Sequence, residues 1–267
     1  MAVVRTIPTA MTIAGSDSGG GAGIQADLKT FAALGVYGTS TLTAITAQNT
    51  VGVHAVHEIP TDIIAAQIDA VLSDIGADAV KTGMLASSSI IQCVASELER
   101  RPVPWLVVDP VMVAKSGDAL LWEDAVDALK TLLVPLASVI TPNIPEAEAL
   151  TGKKIESDTQ VREAAEAFIT MGAKSVVVKG GHREGPATDL FFDGTTFHEF
   201  TSPRIETANP HGTGCTFASA VAAGLARGMS ILEAVGLAKE FITEAILSSF
   251  PVGQGHGPLN HFHKLWK

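Results

Sequence analysis

The chain has 267 residues, of which 46% are hydrophobic and 17% are charged. This composition excludes a disordered chain, and a chain of this length can bury a core that is stable without disulfide bonds or structural metal ions. Its 18 basic and 28 acidic residues give a formal net charge of −10, which argues against a nucleic-acid partner.

Cysteine usage and targeting signals predict where the protein works. Only Cys93 and Cys215 occur, so no disulfide framework exists and a reducing compartment, the cytoplasm, is expected. No apolar run reaches membrane-spanning length, so no membrane partner is expected. Residues 1–15 carry a single Arg5 and are interrupted by Pro8, which is not the pattern of a signal peptide.

Short apolar segments rich in Val, Ile and Thr predict six β-strands. They lie at residues 11–14, 38–47, 79–82, 106–109, 138–141 and 175–179. Several are apolar throughout, as expected of strands that are covered on both faces.

Segments with helical spacing lie between these strands. One face of the first, residues 61–75, carries Ile63, Ile64, Ile68, Val71, Leu72 and Ile75. A later helix is predicted to begin with a capping box, Ser157 with Gln160, and to end at Gly172. Another is predicted from about Thr213 to residue 227, before Gly228.

The alternation of strands and helices predicts an α/β fold with a parallel sheet and helices on both faces. Residues 183–203 differ, because Asp193-Gly194 separates two apolar runs and predicts a β-hairpin. No linker, repeat or low-complexity segment occurs, so residues 1–267 are assigned to one domain.

The first of three glycine-rich segments follows the first strand. Residues 21–26 satisfy the looser dinucleotide-binding fingerprint, but the next strand ends in Gln48-Asn49 and offers no acid for a ribose hydroxyl. We therefore interpret the segment as a tight loop that lets a small flat ligand approach the backbone. The alternative is a plain strand-to-helix turn, although four glycines within residues 19–23 exceed what such a turn needs.

The second segment is Lys179-Gly180-Gly181-His182, directly after a predicted strand. A lysine at that position can place a cation against a phosphate. The alternative is a lysine that merely extends from the strand end into solvent.

The third segment, residues 209–216, runs into a predicted helix. Gly212, Thr213 and Gly214 leave backbone N–H groups unpaired at the helix start, which forms an anion site in an acidic protein. Cys215 lies in the first turn, where the pKa of a thiol is expected to fall below roughly 8.5. Such a thiolate could accept a proton from a substrate hydroxyl. The alternative is a small buried thiol packed on the helix.

Two acids follow predicted strands. Asp109 and Glu146 lie where open α/β sheets bind ligands, and their oxygens suit Mg²⁺ held through water. Asp109 could equally be a solvated acid, and Asn143 with Glu146 could be a helix cap. Together these segments predict phosphoryl transfer, which needs positioning and charge neutralisation more than covalent chemistry.

Several of these segments resemble the motifs of a known family. Asn143-x-x-Glu146 and residues 212–215 resemble the two signatures of ribokinase-like small-molecule kinases. Residues 14–30, 47–50, 81–84, 109–117 and 179–182 narrow the resemblance to the hydroxymethylpyrimidine/phosphomethylpyrimidine kinases of thiamine biosynthesis. It extends from about residue 11 to 263 and implies a three-layer α/β/α fold with a mostly parallel sheet.

The resemblance also implies a reaction. The family uses MgATP to phosphorylate 4-amino-5-hydroxymethyl-2-methylpyrimidine (HMP), and then phosphorylates the monophosphate to the diphosphate. It places Cys215 as the base and Lys179 with the backbone of Gly212 and Gly214 against the transferred phosphoryl group. Asn143, Glu146, His211 and Thr213 would contact nucleotide or phosphate, and Asp109 and Glu146 would hold Mg²⁺.

For the acceptor site, the resemblance implies that Gln48 hydrogen-bonds the pyrimidine, since an amide offers both a donor and an acceptor. Asp27 and Gly15 would line the same pocket, and Met84 and Val111 would form its apolar walls. A homodimer and possibly a monovalent cation are also implied. The family usually has threonine at position 210, where this chain has proline, which removes an N–H from the loop.

Three functions remain open from the sequence. HMP kinase comes first, and the runner-up is a pyridoxal kinase or a dual-specificity enzyme, which Gln48 disfavours because pyridoxal presents a phenolic oxygen. A binding protein that has lost catalysis is disfavoured by the presence of Lys179, Glu146 and Cys215. A second phosphorylation brings two phosphates together, so a mobile cover is predicted at residues 113–118.

Overall fold

A computed structural model describes residues 7–112, 123–181 and 185–266. The predicted cover at residues 113–118 therefore lies outside the described residues, as does His182. The described strands are β1 (Thr9–Asp17), β2 (Tyr37–Gln48), β3 (Val53–Glu58), β4 (Ala79–Thr82), β5 (Leu106–Val108), β6 (Val139–Ile140), β7 (Val176–Val178), β8 (Ala187–Phe192) and β9 (Phe197–Ser202).

All nine strands join one sheet in the order β3-β2-β1-β4-β5-β6-β7-β8-β9. The pairs from β2 through β1 and β4 to β7 are parallel, and β3, β8 and β9 pair antiparallel. The six predicted strands and the hairpin are confirmed. A single continuous sheet is in keeping with the one domain that we predicted.

Strand β3 was not predicted from the sequence. It pairs with β2 at the edge of the sheet, and its side chains are all exposed or half-buried. It has no buried face, so it lacks the apolar alternation that identifies a strand. The turn before it is held by Asn49, whose side-chain oxygen accepts the N–H groups of Val51 and Gly52.

Helices cover both faces of the sheet. They are α1 (Gly23–Ala33), α2 (Thr61–Ala70), α3 (Ser88–Arg100), α4 (Glu123–Ala128), α5 (Ile144–Thr151), α6 (Asp158–Thr170), α7 (Thr213–Ala226) and α8 (Ile231–Leu247). Helices α1, α7 and α8 pack on one face and α2 to α6 on the other, so successive residues such as Val107 and Val108 are buried in opposite cores. This confirms the three-layer α/β/α fold.

Two helix predictions need correction. Ile63 was placed on the buried face of α2, but it is 50% exposed, because the helix buries Ile64 and Ile68 instead. The side chain of Ser157 caps α6 by accepting the N–H of Gln160, as predicted. The side-chain oxygen of Gln160, however, accepts the N–H of Glu156 and not that of Ser157, so the capping box is incomplete. Gly172 has a φ of 106°, as its predicted role at the helix end requires.

None of the described helices is long and apolar enough to cross a membrane. The order in which strands are added to the sheet reverses at β1, since β2 lies on one side of it and β4 on the other. Such a reversal opens a crevice at the carboxyl ends of the strands, where open α/β sheets bind ligands. This edge carries the side chains described below.

A buried ion pair joins the layers beneath that crevice. The carboxylate of Asp27 on α1 lies 2.9 Å from the ammonium of Lys81 on β4, and both side chains are fully buried. The same carboxylate accepts hydrogen bonds from Thr12 on β1 and Ser219 on α7, each at 2.6 Å. Burial alone would lower the pKa of Lys81, but the charge of Asp27 outweighs it and the pKa is raised.

Removal of one partner should be costly, because it leaves a buried charge without compensation. We expect Lys81→Met to lower the free energy of unfolding by about 3–5 kcal/mol, and Asp27→Asn with Lys81→Met to recover part of that loss. Lys154→Met is the matched control, since Lys154 pairs with Glu148 at the surface with 80% of its side chain exposed. Urea denaturation measures all three, and equal losses for both lysine variants would contradict the account.

Candidate active site

Two glycine loops meet at the centre of the crevice. One follows β1, and the other leads into α7. Gly212 has a φ of 86°, and a Cβ there would overlap the carbonyl oxygen of Gly21. A Cβ at Gly21 would in turn overlap the ring of His211. The loops are therefore packed so closely that only glycine fits at either contact.

Asp17, at the end of β1, organises the first loop. One carboxylate oxygen accepts the N–H of Gly19 at 2.7 Å, and the other accepts those of Gly21 and Ala22 at 3.0 and 2.8 Å. That second oxygen also lies 2.8 Å from Nε2 of His211. Burial acts to raise the pKa of Asp17, but these hydrogen bonds, led by the one from His211, lower it overall.

Sequence reasoning missed Asp17, although a signal was present. An aspartate directly before a run of glycines is typical of a carboxylate that caps the N–H groups of a following turn. It also placed His211 on the nucleotide. In the structure its ring lies over the first loop, with Nε2 on Asp17 and 3.5 Å from the amide of Gln48.

The predicted ring-binding residues Gln48, Gly15, Met84 and Val111 lie at or just after the carboxyl ends of β2, β1, β4 and β5. Gln48 ends β2, and its backbone N and O both bond the hydroxyl of Ser18. The register of β1 against β2 shifts at Gly15, where a Cβ would overlap the methyl group of Met84. Val111 is half-buried just after Asp109, whose carbonyl accepts its N–H at 2.8 Å.

Asp27 does not belong to the lining of this pocket. Its carboxylate is fully buried and is occupied by Lys81, Thr12 and Ser219. The structure therefore places it below the site, as a support for α7, rather than in contact with a ligand as predicted.

The phosphate side is formed by the ends of β5 and β7. Nζ of Lys179 lies 3.1 Å from Oδ1 of Asp109 and 3.9 Å from Oε2 of Glu146. A Cβ placed on Gly214 would be 3.4 Å from that ammonium, so Lys179 faces the start of α7. Burial works to lower the pKa of Lys179, but the two carboxylates raise it and the side chain stays a cation.

A second buried pair holds the loop after Lys179. Asp189 on β8 accepts the N–H of Gly180 at 2.9 Å and pairs with Lys239 of α8, also at 2.9 Å. A Cβ on Gly180 would overlap the carbonyl oxygen of Thr188. Neither Asp189 nor Lys239 was predicted, since both lie in apolar runs with no local motif.

Asn143 and Glu146 form a capping box at the start of α5. The Asn143 side chain accepts the N–H of Glu146 at 2.9 Å, and Glu146 accepts that of Asn143 at 2.7 Å. The cap interpretation is confirmed, and Glu146 also faces Lys179. Burial raises the pKa of Glu146 to about 7, against the opposing effect of Lys179.

The acids fit a hard cation in part. Oδ2 of Asp109 is buried and has no hydrogen-bond partner, as expected of an oxygen reserved for a cation or its water. Across the described parts of the chain, however, no three His, Cys, Asp or Glu side chains gather as metal ligands. Any Mg²⁺ here would take most of its ligands from water and phosphate, as Mg²⁺ commonly does.

The thiol of Cys215 differs from prediction. Burial raises its pKa to about 11, and the nearby carboxylates of Asp27 and Asp109 add to this effect. The charge of Lys81 and a hydrogen bond from the N–H of Gly23 act in the opposite direction but do not prevail. The prediction of a depressed pKa is therefore wrong, because it counted the helix start and neither the burial of the thiol nor the nearby acids.

The loop before α7 is closed at both ends. The hydroxyl of Thr213 donates to the carbonyl of Pro210 at 2.6 Å, so the proline forms part of a closed turn. The C-terminal segment supports the loop, since Gly257 accepts the N–H of His211 at 3.2 Å. The same segment reaches the turn between β2 and β3, where the N–H of His256 donates to the carbonyl of Thr50 at 2.8 Å.

The fold, with Lys179 facing the start of α7 at the carboxyl edge of the sheet, defines a ribokinase-like small-molecule kinase. The sequence model of the phosphomethylpyrimidine kinases matches residues 17–260. The chain belongs to this family.

Two curated proteins and one solved structure show the similarity in detail. A Rhizobium meliloti protein named hydroxymethylpyrimidine/phosphomethylpyrimidine kinase is 56% identical over 262 residues, which cover 97% of this chain and 98% of that protein. A thiamine biosynthesis bifunctional protein of Geobacter sulfurreducens is 55% identical over 252 residues, 94% of this chain and 51% of that protein, so the chain spans about half its length. The ADP complex of Bacillus subtilis pyridoxal kinase has a TM-score of 0.90 at 44% identity, covering 96% of this chain and 98% of that one.

The raised pKa of Cys215 can be measured directly. In a Cys93→Ser background, we expect the rate of alkylation of Cys215 by iodoacetamide to rise tenfold per pH unit from pH 7 to 9. A thiol with a pKa near 11 is almost fully protonated over that range. Cys93→Ser with Cys215→Ser gives the blank. A rate that levels off below pH 8 would show that the thiolate is already formed.

Proposed function

We propose that the chain transfers a phosphoryl group from ATP to the hydroxymethyl group of HMP, and then phosphorylates the product to the diphosphate. The observation that carries this proposal is Gln48, an amide with a donor and an acceptor at the first glycine loop, where its backbone bonds Ser18. The name of the Rhizobium meliloti relative, 56% identical, supports the same activity.

The site divides the work between its two sides. Gln48 and Met84 would hold the aminopyrimidine ring, with its hydroxymethyl group directed at the start of α7. Lys179 and the N–H groups of residues 212–215 would neutralise charge on the transferred group. The hydroxymethyl oxygen forms the new bond to phosphorus, the bond to ADP breaks, and the hydroxyl proton leaves.

We propose Cys215 as the acceptor of that proton, in its thiolate form. Because the pKa is near 11, the thiolate is the minor form in the free protein at neutral pH. Only this minor form can accept the proton, so turnover would depend on the thiolate fraction.

We also propose that Mg²⁺ is held, through water, by Asp109 and Glu146. The ion would neutralise phosphate charge, which is what it supplies in such sites. The buried, unpartnered oxygen of Asp109 supports this assignment. A monovalent cation stays a prediction.

The resemblance further implies a homodimer, which we propose as well. The surface that supports it is the β2–β3 edge, where Tyr37, Ile45 and Val56 are exposed. Exposed apolar side chains on an edge strand are typical of a protein interface. Light scattering would measure the mass.

A pyridoxal kinase is the second candidate, favoured by the 0.90 TM-score to the Bacillus subtilis enzyme. HMP ranks first because a phenolic oxygen cannot satisfy both groups of the Gln48 amide. A protein that only binds its ligand is disfavoured, since Lys179, Asp109 and Glu146 lie together as catalysis requires.

A product assay decides between the substrates. With MgATP and equal HMP and pyridoxal, we expect mass spectrometry to show HMP monophosphate first and the diphosphate later. The Gln48 amide pairs with both the ring nitrogen and the amino group of HMP, so HMP should be preferred. A tenfold or greater preference for pyridoxal in kcat/KM would reverse the assignment.

Substitution of Cys215 separates catalysis from binding. We expect Cys215→Ala to lower kcat by about 10²–10⁴, the usual contribution of a positioned base, with the Kd for HMP unchanged by calorimetry. Cys93→Ala is the control, because that thiol bonds the carbonyl of Thr61, away from the crevice. Unchanged turnover in Cys215→Ala would exclude Cys215 as the base.

A further inference from the structure

We infer that Asp17 and His211 fix the orientation of the Gln48 side-chain amide, and so set the order in which the site presents a donor and an acceptor to its ring substrate. The pair bridges the two glycine loops and is almost fully enclosed, with 3% and 12% of the two side chains exposed. The identity of the ring rests on the proposed function, whereas the amide orientation is a property of the free protein.

The hydrogen between Asp17 and His211 belongs to His211. The carboxylate of Asp17 is ionised, since its pKa is lowered, and it already accepts three backbone N–H groups. It has no hydrogen to give. A contact of 2.8 Å to Nε2 of His211 therefore requires that this nitrogen carries the hydrogen and donates it.

This assignment conflicts with the amide of Gln48 as it stands. Its Nε2, a donor, lies 3.5 Å from Nε2 of His211, which is also a donor. At the other end of the amide, Oγ1 of Thr46 lies 2.8 Å from the carbonyl of Ser16 and 3.2 Å from Oε1 of Gln48. A hydroxyl has one hydrogen, and two acceptors compete for it.

Rotation of the amide by 180° about its last bond removes the donor–donor contact and leaves the Thr46 hydrogen to Ser16. Nε2 of Gln48 then donates to Oγ1 of Thr46. Oε1 faces the N–H of His211 at 3.5 Å as the weaker of its two acceptors, because that hydrogen lies mainly on Asp17 at 2.8 Å. The oxygen and nitrogen of an amide are nearly equal in size, so the rotation exchanges their positions and no neighbouring atom needs to move. One N–H and one lone pair of Gln48 remain for a ligand.

The order of these two groups is a specificity device. The donor lies on the Thr46 side and the acceptor on the His211 side. A ring nitrogen would therefore bind beside Thr46, and an exocyclic amine beside His211. A ring with an oxygen acceptor in place of that amine meets Oε1, and turning the amide to suit it would break the contacts with both Thr46 and His211. Asp17 and His211 are positioning residues in this account.

The orientation can be read in the free protein by NMR. With ¹⁵N-glutamine in otherwise unlabelled, protonated protein, and Gln48→Leu to identify the signal, we expect NOEs from the Gln48 amide protons to the side chain of Thr46. NOEs to the ring protons of His211 instead would overturn the proposal. No ligand is needed, so this result does not depend on the proposed function.

Binding of two ring compounds tests the consequence. We expect the wild-type protein to bind HMP on the order of tenfold more tightly than its analogue without the 4-amino group, the size of one buried hydrogen bond. In His211→Leu that ratio should fall below about threefold, since only Thr46 then holds the amide, and His211→Gln, which keeps a donor near Oε1, should retain it.

A ratio that is equal in wild-type protein and His211→Leu would overturn the proposal. The ratio compares two ligands on one protein, so a general loss of stability does not move it. Wild-type protein that binds neither compound would contradict the proposed function, and the amide orientation would still be decided by the NOEs.

Discussion

The carboxylate of Asp27 is the constraint on which the site depends. It accepts hydrogen bonds from β1 and α7 while it pairs with Lys81 on β4, so one buried group ties three elements to its own helix. Because Ser219 lies one helical turn after Cys215, this bond also fixes the start of α7 relative to the sheet. A buried pair of this kind stabilises little by itself but is costly to break.

With α7 fixed, the two glycine loops can pack against each other. The contact between Gly21 and Gly212 leaves no room for side chains, so the acceptor pocket and the anion site share one wall. Asp17 and His211 cross that wall with a hydrogen bond. On the far side, Asp189 and Lys239 hold the loop that carries Lys179.

The parts of the molecule with local signals were predictable. Strand β4, helix α7 and the hairpin follow from apolar runs, a glycine-flanked helix and an Asp-Gly turn. Strand β3 was missed because an exposed edge strand has no buried face. Asp189 and Lys239 are 50 residues apart in the sequence and meet only in the folded chain. The predicted pKa of Cys215 was wrong for the same reason. The burial that raises it, and the approach of Asp27 and Asp109 from distant segments, exist only in the folded chain.

The proposed function requires that one crevice bind an aminopyrimidine and the phosphates of ATP on opposite sides of the loop contact. A crystal structure with HMP and a non-hydrolysable ATP analogue would decide this. We expect the ring against Met84 with its nitrogen and amine on Gln48, the terminal phosphate on the N–H groups of residues 212–215 near Lys179, and the hydroxymethyl oxygen between them. A ring bound away from Gln48, or phosphates bound away from the start of α7, would contradict it.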